Sequence, residues 1–181
     1  MKYYLKLGFV LLVFCVVASG ILAYINSLTA PVIADRKAKE EVSTREALIP
    51  DASFEQTSLT NGDVYYTARS NASNEILGYT FIAAQTGYSS KVQTMVGVDK
   101  DFKVIAIKVI DQAETPGLGA NCTQKSFTDQ FKRLTSNDLY VDKDGGKVKS
   151  LSGATITSRC IANSIRETIA FVQAQQTNGG E

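Results

Sequence analysis

The pattern of apolar and polar positions along this chain changes character twice. From Leu7 to Ile25, "LGFVLLVFCVVASGILAYI", nineteen residues pass without a charge, close to the roughly 20 that carry a helix across a bilayer. Lys2 and Lys6 precede the run, and Tyr3, Tyr4 and Tyr24 stand where interfacial aromatics are expected. A cleaved signal peptide has a shorter apolar core, roughly 7 to 15 residues, so a retained anchor is the expectation. Arg36, Lys37 and Lys39 follow the span within reach of the charge rule, which leaves orientation weakly determined by charge alone. Beyond Pro31 the chain becomes charged and helix-favouring until about Leu48, where Pro50 and Asp51 break it. This stretch reads as a stalk or, over Ala34 to Leu48, as the first helix of a globular domain, and one helix can do each job in different halves.

The second change is to period-two and buried runs. Asp63–Arg69, Ile76–Ala84, Val92–Asp99 and Val104–Asp111 read as strands, with "DKDF" (Asp99–Phe102) as a hairpin turn between the last two. Such short connections favour antiparallel pairing. An irregular stretch follows, with Thr128–Leu134 as a short helix and "LYVDKDGGKVKSLSG" as a turn flanked by extended chain. Ser158 to about Gln175 carries Ile161, Ile165, Ile169 and Val172 on one face, which predicts an amphipathic helix packed on the sheet. Strands followed by helices make the fold class α+β: a single N-terminal transmembrane helix, a mainly antiparallel sheet and a packed C-terminal helix. The expected division is 1–27 anchor, 28–50 helical stalk and 51–181 globular domain, with a frayed polar tail "QTNGGE".

Composition removes several function classes. Nineteen basic and eighteen acidic residues leave a net charge of +1, without the basic footprint of a nucleic-acid binder. Histidine is absent, which excludes His-dependent triads and the usual zinc sites built on His. Of the three cysteines, Cys15 lies in the apolar run, while Cys122 and Cys160 are expected as buried thiols rather than a disulfide.

Two Gly-rich loops at the ends of regular elements carry the candidate chemistry. In "AETPGLGAN" (Ala113–Asn121), Pro116-Gly117 is a type II turn signal and Gly119 allows a close backbone approach. In "LSGATITSR" (Leu151–Arg159), small and hydroxyl residues stand at the mouth of a helix. That loop reads either as punctuation, with Thr157 or Ser158 as N-cap, or as a seat for phosphate at the positive end of the helix dipole. It is neither a dinucleotide fingerprint nor a Walker A sequence, so nucleotide hydrolysis is not expected.

Taken together, these loops resemble the FMN-binding domain of the G subunit of the Rnf electron-transport complex and of the C subunit of the sodium-translocating NADH:quinone reductase. The likeness runs along nearly the whole chain through "LTAPVI" (Leu28–Ile33), "ALIPDA" (Ala47–Ala52), "GYSSKVQTMVGVD" (Gly87–Asp99), "ETPGLG" (Glu114–Gly119), "DGG" (Asp144–Gly146) and "SGATITS" (Ser152–Ser158). The short chain is more similar to the Rnf G subunit.

The resemblance implies one FMN per chain, joined through its phosphate to the hydroxyl of Thr155 by a flavin transferase. Ser152, Gly153, Ala154 and Thr157 then surround the attachment point. Glu114, Thr115, Gly117, Leu118 and Gly119 lie against the flavin ring or its ribityl chain, with Thr115 as a donor and Leu118 as an apolar face. Thr157 is the rival position, expected as a cap or a phosphate contact. The family often has Asp three residues before the first Ser, where this chain has Lys149, a candidate to neutralise phosphate. The implied role is an electron-transfer subunit of a ferredoxin:NAD oxidoreductase coupled to ion transport, rather than a stand-alone enzyme. Its partners would be the membrane and the other Rnf subunits, with the soluble domain on the extracytoplasmic side of the cytoplasmic membrane. The alternative is a membrane-tethered assembly or binding subunit without a redox cofactor, in which both loops are plain turns.

Overall fold

The computed structural model describes residues 2–58 and 64–178, with side chains up to Gln176. Asp63 and the last residues of the polar tail lie outside the described residues. Contacts divide the chain into two compact units, Met1–Glu40 and Glu41–Glu181.

The first unit is helical. Helix α1 runs over Lys2–Leu48, through Pro31, and contains an 18-residue window of mean hydropathy 2.6, long and apolar enough to cross a membrane. The apolar side chains of that window are exposed, Phe9 at 67% and Phe14 at 71% among them, as a surface that meets lipid would be. Just before Pro31, which has no N–H to give, Ser27 and Thr29 hydroxyls donate to the carbonyls of Tyr24 (2.7 Å) and Ile25 (3.0 Å).

In the second unit the last turns of α1 bury Thr44, Arg45 and Leu48. Five strands follow: β1 Ala52–Ser58, β2 Val64–Ser70, β3 Ile76–Thr86, β4 Lys91–Asp99 and β5 Val104–Asp111. They form one antiparallel meander in chain order, as the short connections require. Strand β1 shows no alternation in sequence because Glu55, Gln56, Thr57 and Ser58 give it the polar, exposed face of an edge strand. At the β4–β5 hairpin, Asp99 Oδ1 accepts the N–H groups of Asp101 and Lys103, both at 2.9 Å. Phe102 there stacks on Tyr79, with ring centroids 5.2 Å apart.

The short helix expected at Thr128–Leu134 is displaced: α2 spans Lys125–Thr128 and tightens into a 3₁₀ turn at Asp129–Phe131. Phe127 and Phe131 pack edge to face at 5.4 Å, which draws that segment inward. Helix α3, Thr155–Asn178, lies against one face of the sheet. Its Ile161, Ile165, Ile169 and Val172 are fully buried and join Phe81, Val96, Val98 and Val109 in the main core. The opposite face carries a smaller cluster built on Leu48, Ile49, Ala68 and Met95.

The start of α3 also differs from expectation. The helix begins at Thr155, so Thr157 and Ser158 lie inside its first turn and neither is the N-cap residue. Ser158 Oγ accepts the Leu151 N–H (2.9 Å) and donates to the Ala154 carbonyl (3.0 Å), locking the preceding turn onto the helix. The Thr157 hydroxyl is turned away from the helix end toward Glu114.

Candidate functional site

Both Gly-rich loops are turns with glycine at the position that needs a positive φ. Leu118 N donates to the Thr115 carbonyl (3.1 Å) across Pro116 and Gly117, and Gly117 has φ +79°. Ala154 N donates to the Leu151 carbonyl (2.9 Å) across Ser152 and Gly153, and Gly153 has φ +73°. These are the geometries of type II turns, the first as its Pro-Gly pair predicts. The two turns meet: a Cβ built on Gly153 would lie 3.0 Å from a Leu118 methyl.

Glu114 is the centre of the arrangement. Only 6% exposed, its carboxylate accepts the Thr157 hydroxyl (2.7 Å), the N–H groups of Tyr88 (3.3 Å), Ser89 (3.0 Å) and Ser90 (2.9 Å), and the Ser90 hydroxyl (3.2 Å). Burial by itself raises the acid's pKa, but the hydrogen bond from Thr157 and those from the 88–90 backbone outweigh it, and the carboxyl is held below its ordinary value. One ionised side chain thus ties three segments together: the β3–β4 turn, the loop after β5 and the first turn of α3. Gly119 fits closely beneath it, since a Cβ there would come within 2.8 Å of both Glu114 Oε2 and Thr157 Oγ1.

Above this staple lies a cleft of about 450 Å³, lined by Tyr88, Glu114, Thr115, Leu118, Gly119, Gly153, Ala154, Thr155, Ile156 and Thr157. The volume is within the usual range for cofactor sites. Its walls divide chemically: Tyr88 (73% exposed), Leu118 (43%) and Ile156 (51%) form an apolar rim, whereas the floor is polar. At the floor the N–H groups of Thr155, Ile156 and Thr157 have no protein acceptor among the described residues, as first-turn donors of a helix commonly do not. Together with the helix dipole they suit an anion carrying a single charge. A phosphate ester that continues into a flat apolar ring system matches both halves of the cleft, so the residues present fit FMN.

Most of the expected site residues meet here. Gly153, Ala154, Thr155 and Thr157 from one loop face Glu114, Thr115, Leu118 and Gly119 from the other. Ser152 and Gly117 lie within the turns and do not line the cleft; Ser152 is exposed beside it. Lys149 is not at the cleft: its side chain is exposed, and its backbone N–H donates to Gln130 Oε1 (2.8 Å). Tyr88 and Ile156 are lining residues that sequence reasoning did not single out. The one signal for them was an aromatic after Gly87 in the turn between β3 and β4, and an isoleucine among small residues. Cys122 and Cys160 are free, buried thiols, each pushed up to about 11 by burial and then by the nearby Glu114 charge.

The fold and cleft define a class, an FMN-binding domain carried behind an apolar N-terminal helix. Residues 87–170 match the FMN-binding domain family, and residues 2–48 match the RnfG N-terminal region. The chain is 32% identical over 162 residues to the G subunit of the proton-translocating ferredoxin:NAD(+) oxidoreductase complex of Clostridium ljungdahlii, covering 87% of this chain and 85% of that one. It is likewise 32% identical over 186 residues to the G subunit of the ion-translocating oxidoreductase complex of Photorhabdus laumondii, covering 92% and 88%. Among solved structures, the C subunit of the Na(+)-translocating NADH-quinone reductase from Parabacteroides distasonis shares the fold, with TM-score 0.51 and 22% identity over 61% of each chain. The chain therefore belongs to the family of G subunits of Rnf ion-translocating oxidoreductase complexes, and the α+β class expected from its patterning holds.

Proposed function

We propose that this chain is the membrane-anchored electron-transfer subunit of an Rnf-type ferredoxin:NAD oxidoreductase complex, carrying one FMN attached through its phosphate to Thr155. The observation that carries the reading is the contrast between two hydroxyls two residues apart. Thr157 already donates its hydrogen bond to Glu114 at 2.7 Å. Thr155 is half-buried on the cleft wall, and its hydroxyl has no protein partner among the described residues. It is the hydroxyl free to be esterified, with exposed Ser152 and Gly153 beside it to be read by a flavin transferase.

When bound, FMN supplies the one- and two-electron chemistry. The chain's own residues hold and shield it. The donors at the start of α3 would take the phosphodiester's remaining charge, Glu114 ties the two loops together, and Leu118, Ile156 and Tyr88, which line the cleft, would shield the ring. Thr115 lines the same cleft, where its hydroxyl would donate to the bound group. In this reading residues 1–27 anchor the chain in the cytoplasmic membrane, 28–50 form the stalk and 51–181 the flavin domain on the extracytoplasmic side, next to the other Rnf subunits. The compact unit that holds the sheet begins at Glu41, within that stalk.

The test is the intact mass of the native protein, which should exceed that of the polypeptide by one FMN less water. After coexpression with the transferase, a denaturing gel should show a fluorescent band at this mass that disappears in Thr155→Ala and persists in Thr157→Val. A native chain with no added mass supports the cofactor-free assembly subunit instead, and the opposite pattern of variants moves the bond to Thr157.

A further inference from the structure

A second cavity of about 380 Å³ lies on the sheet face opposite α3. Its floor is β2, β3 and β4, where Tyr66 pairs with Thr80 and Ile82 with Met95, and the last turns of α1 close it with Glu41 and Arg45. Arg45 is only 7% exposed, and its guanidinium carbon lies 3.4 Å from the centre of the Tyr66 ring. Arg45 Nε is buried without a hydrogen-bond partner, as is the hydroxyl of Thr80 in the same wall.

A buried guanidinium N–H with no acceptor is costly, and a ring face returns only part of that cost. The guanidinium carbon lies over the Tyr66 ring, with Phe54 5.8 Å away, and a guanidinium is the group that receives a carboxylate through two parallel bonds. Glu41, one turn earlier, lines the cavity yet forms no ion pair with Arg45 within 4.0 Å among the described residues. The charged groups facing the cavity are Arg45, Lys91 and Glu41, which sum to +1 and leave room for one negative charge. Ile82 and Met95 supply an aliphatic wall, which disfavours a strongly hydrated phosphate dianion.

We propose that this cavity is a carboxylate site, separate from the flavin cleft, in which Arg45 and Lys91 hold the anion, Thr80 donates to it, and Ile82 and Met95 contact a short apolar body. The carboxylate comes either from a free organic acid or from an acidic side chain of a neighbouring subunit.

Full-length protein in detergent, titrated with butyrate and followed by ligand line broadening, tests the free source. Saturable binding of butyrate, absent for neutral butyramide, is expected. Arg45→Gln should weaken it at least about tenfold, the loss of a charge-assisted pair. Because that variant removes a buried group, Thr80→Val and exposed Lys91→Ala serve as independent variants, each expected to weaken binding by roughly three- to tenfold with the melting temperature preserved. In the assembled complex, a zero-length carbodiimide bond from Lys91 to an acidic residue of another subunit, lost in Arg45→Gln and in Thr80→Val, identifies the side-chain source. Equal binding of butyrate and butyramide, binding unchanged in all three variants, or neither butyrate binding nor that cross-link overturns the proposal.

Discussion

Thr157 Oγ1 and Glu114 Oε2, 43 residues apart in the chain, lie 2.7 Å apart beneath the cleft. Among the described residues this bond is the only link to α3 in a carboxylate shell otherwise made by the 88–90 turn. It turns Glu114 from a buried charge into a clamp whose removal loosens two loops at once.

Glu114→Gln replaces an acceptor of several donors by a group with one acceptor oxygen and an NH₂ aimed at donors. The expected loss is about 1 to 3 kcal/mol of stability, the cost of leaving buried polar groups unpaired. Thermal denaturation checks it, and the same variant should incorporate less flavin than wild type at equal expression.

The clamp also has a pH signature. Because the folded-state pKa of Glu114 is lowered, its stabilising contribution is full above the ordinary value near 4.5 and is lost as pH falls through the lowered one. Asp138, held at about 2 by hydrogen bonds from Lys147 and Thr135, follows the same direction. The difference in melting temperature between wild type and Glu114→Gln should therefore be constant from neutral pH down to the unfolded pKa and shrink below it.

Gly119→Ala inserts a Cβ 2.8 Å from both partners of the Glu114–Thr157 bond. Overpacking of this kind costs about 1 to 3 kcal/mol. Gly117→Ala meets no neighbour and pays only for its φ of +79°, so the comparison of the two melting curves separates crowding of the clamp from backbone strain.

Leu118 is a rim residue, 43% exposed. Leu118→Ser should leave stability within about 0.5 kcal/mol, as for most surface changes, while the visible absorption of the bound flavin shifts because water reaches the ring. A large drop in stability with an unchanged spectrum would place Leu118 in a structural role alone.

Much of the architecture was legible because it rests on local pattern. Alternation marked β2 to β5, and the isoleucine face of α3 needs only its own spacing of Ile161, Ile165 and Ile169. Strand β1 was not legible, since an edge strand buries too little to show alternation. The helix start at Thr155 was missed for a related reason. Ser158 looks like a cap in sequence, but its hydroxyl works backward, receiving Leu151 N–H and bonding Ala154. At the site, the turn at Pro116-Gly117 was readable from residue type, whereas Tyr88 and Ile156 join the cleft only through sheet register and helix phase. The partner of Glu114 was not readable at all, because no local rule connects residues 114 and 157.

That long-range bond has a consequence for the order of events in making the protein. The segments that meet at Glu114 come from the β3–β4 turn, the loop after β5 and the first turn of α3, and the last of them emerges only after the whole sheet has been synthesised. Until residue 157 is in place, Glu114 holds only the 88–90 turn and the cleft has no second wall. The site is thus complete only once α3 is in place on the sheet, and a cofactor that needs both walls reports on a finished domain.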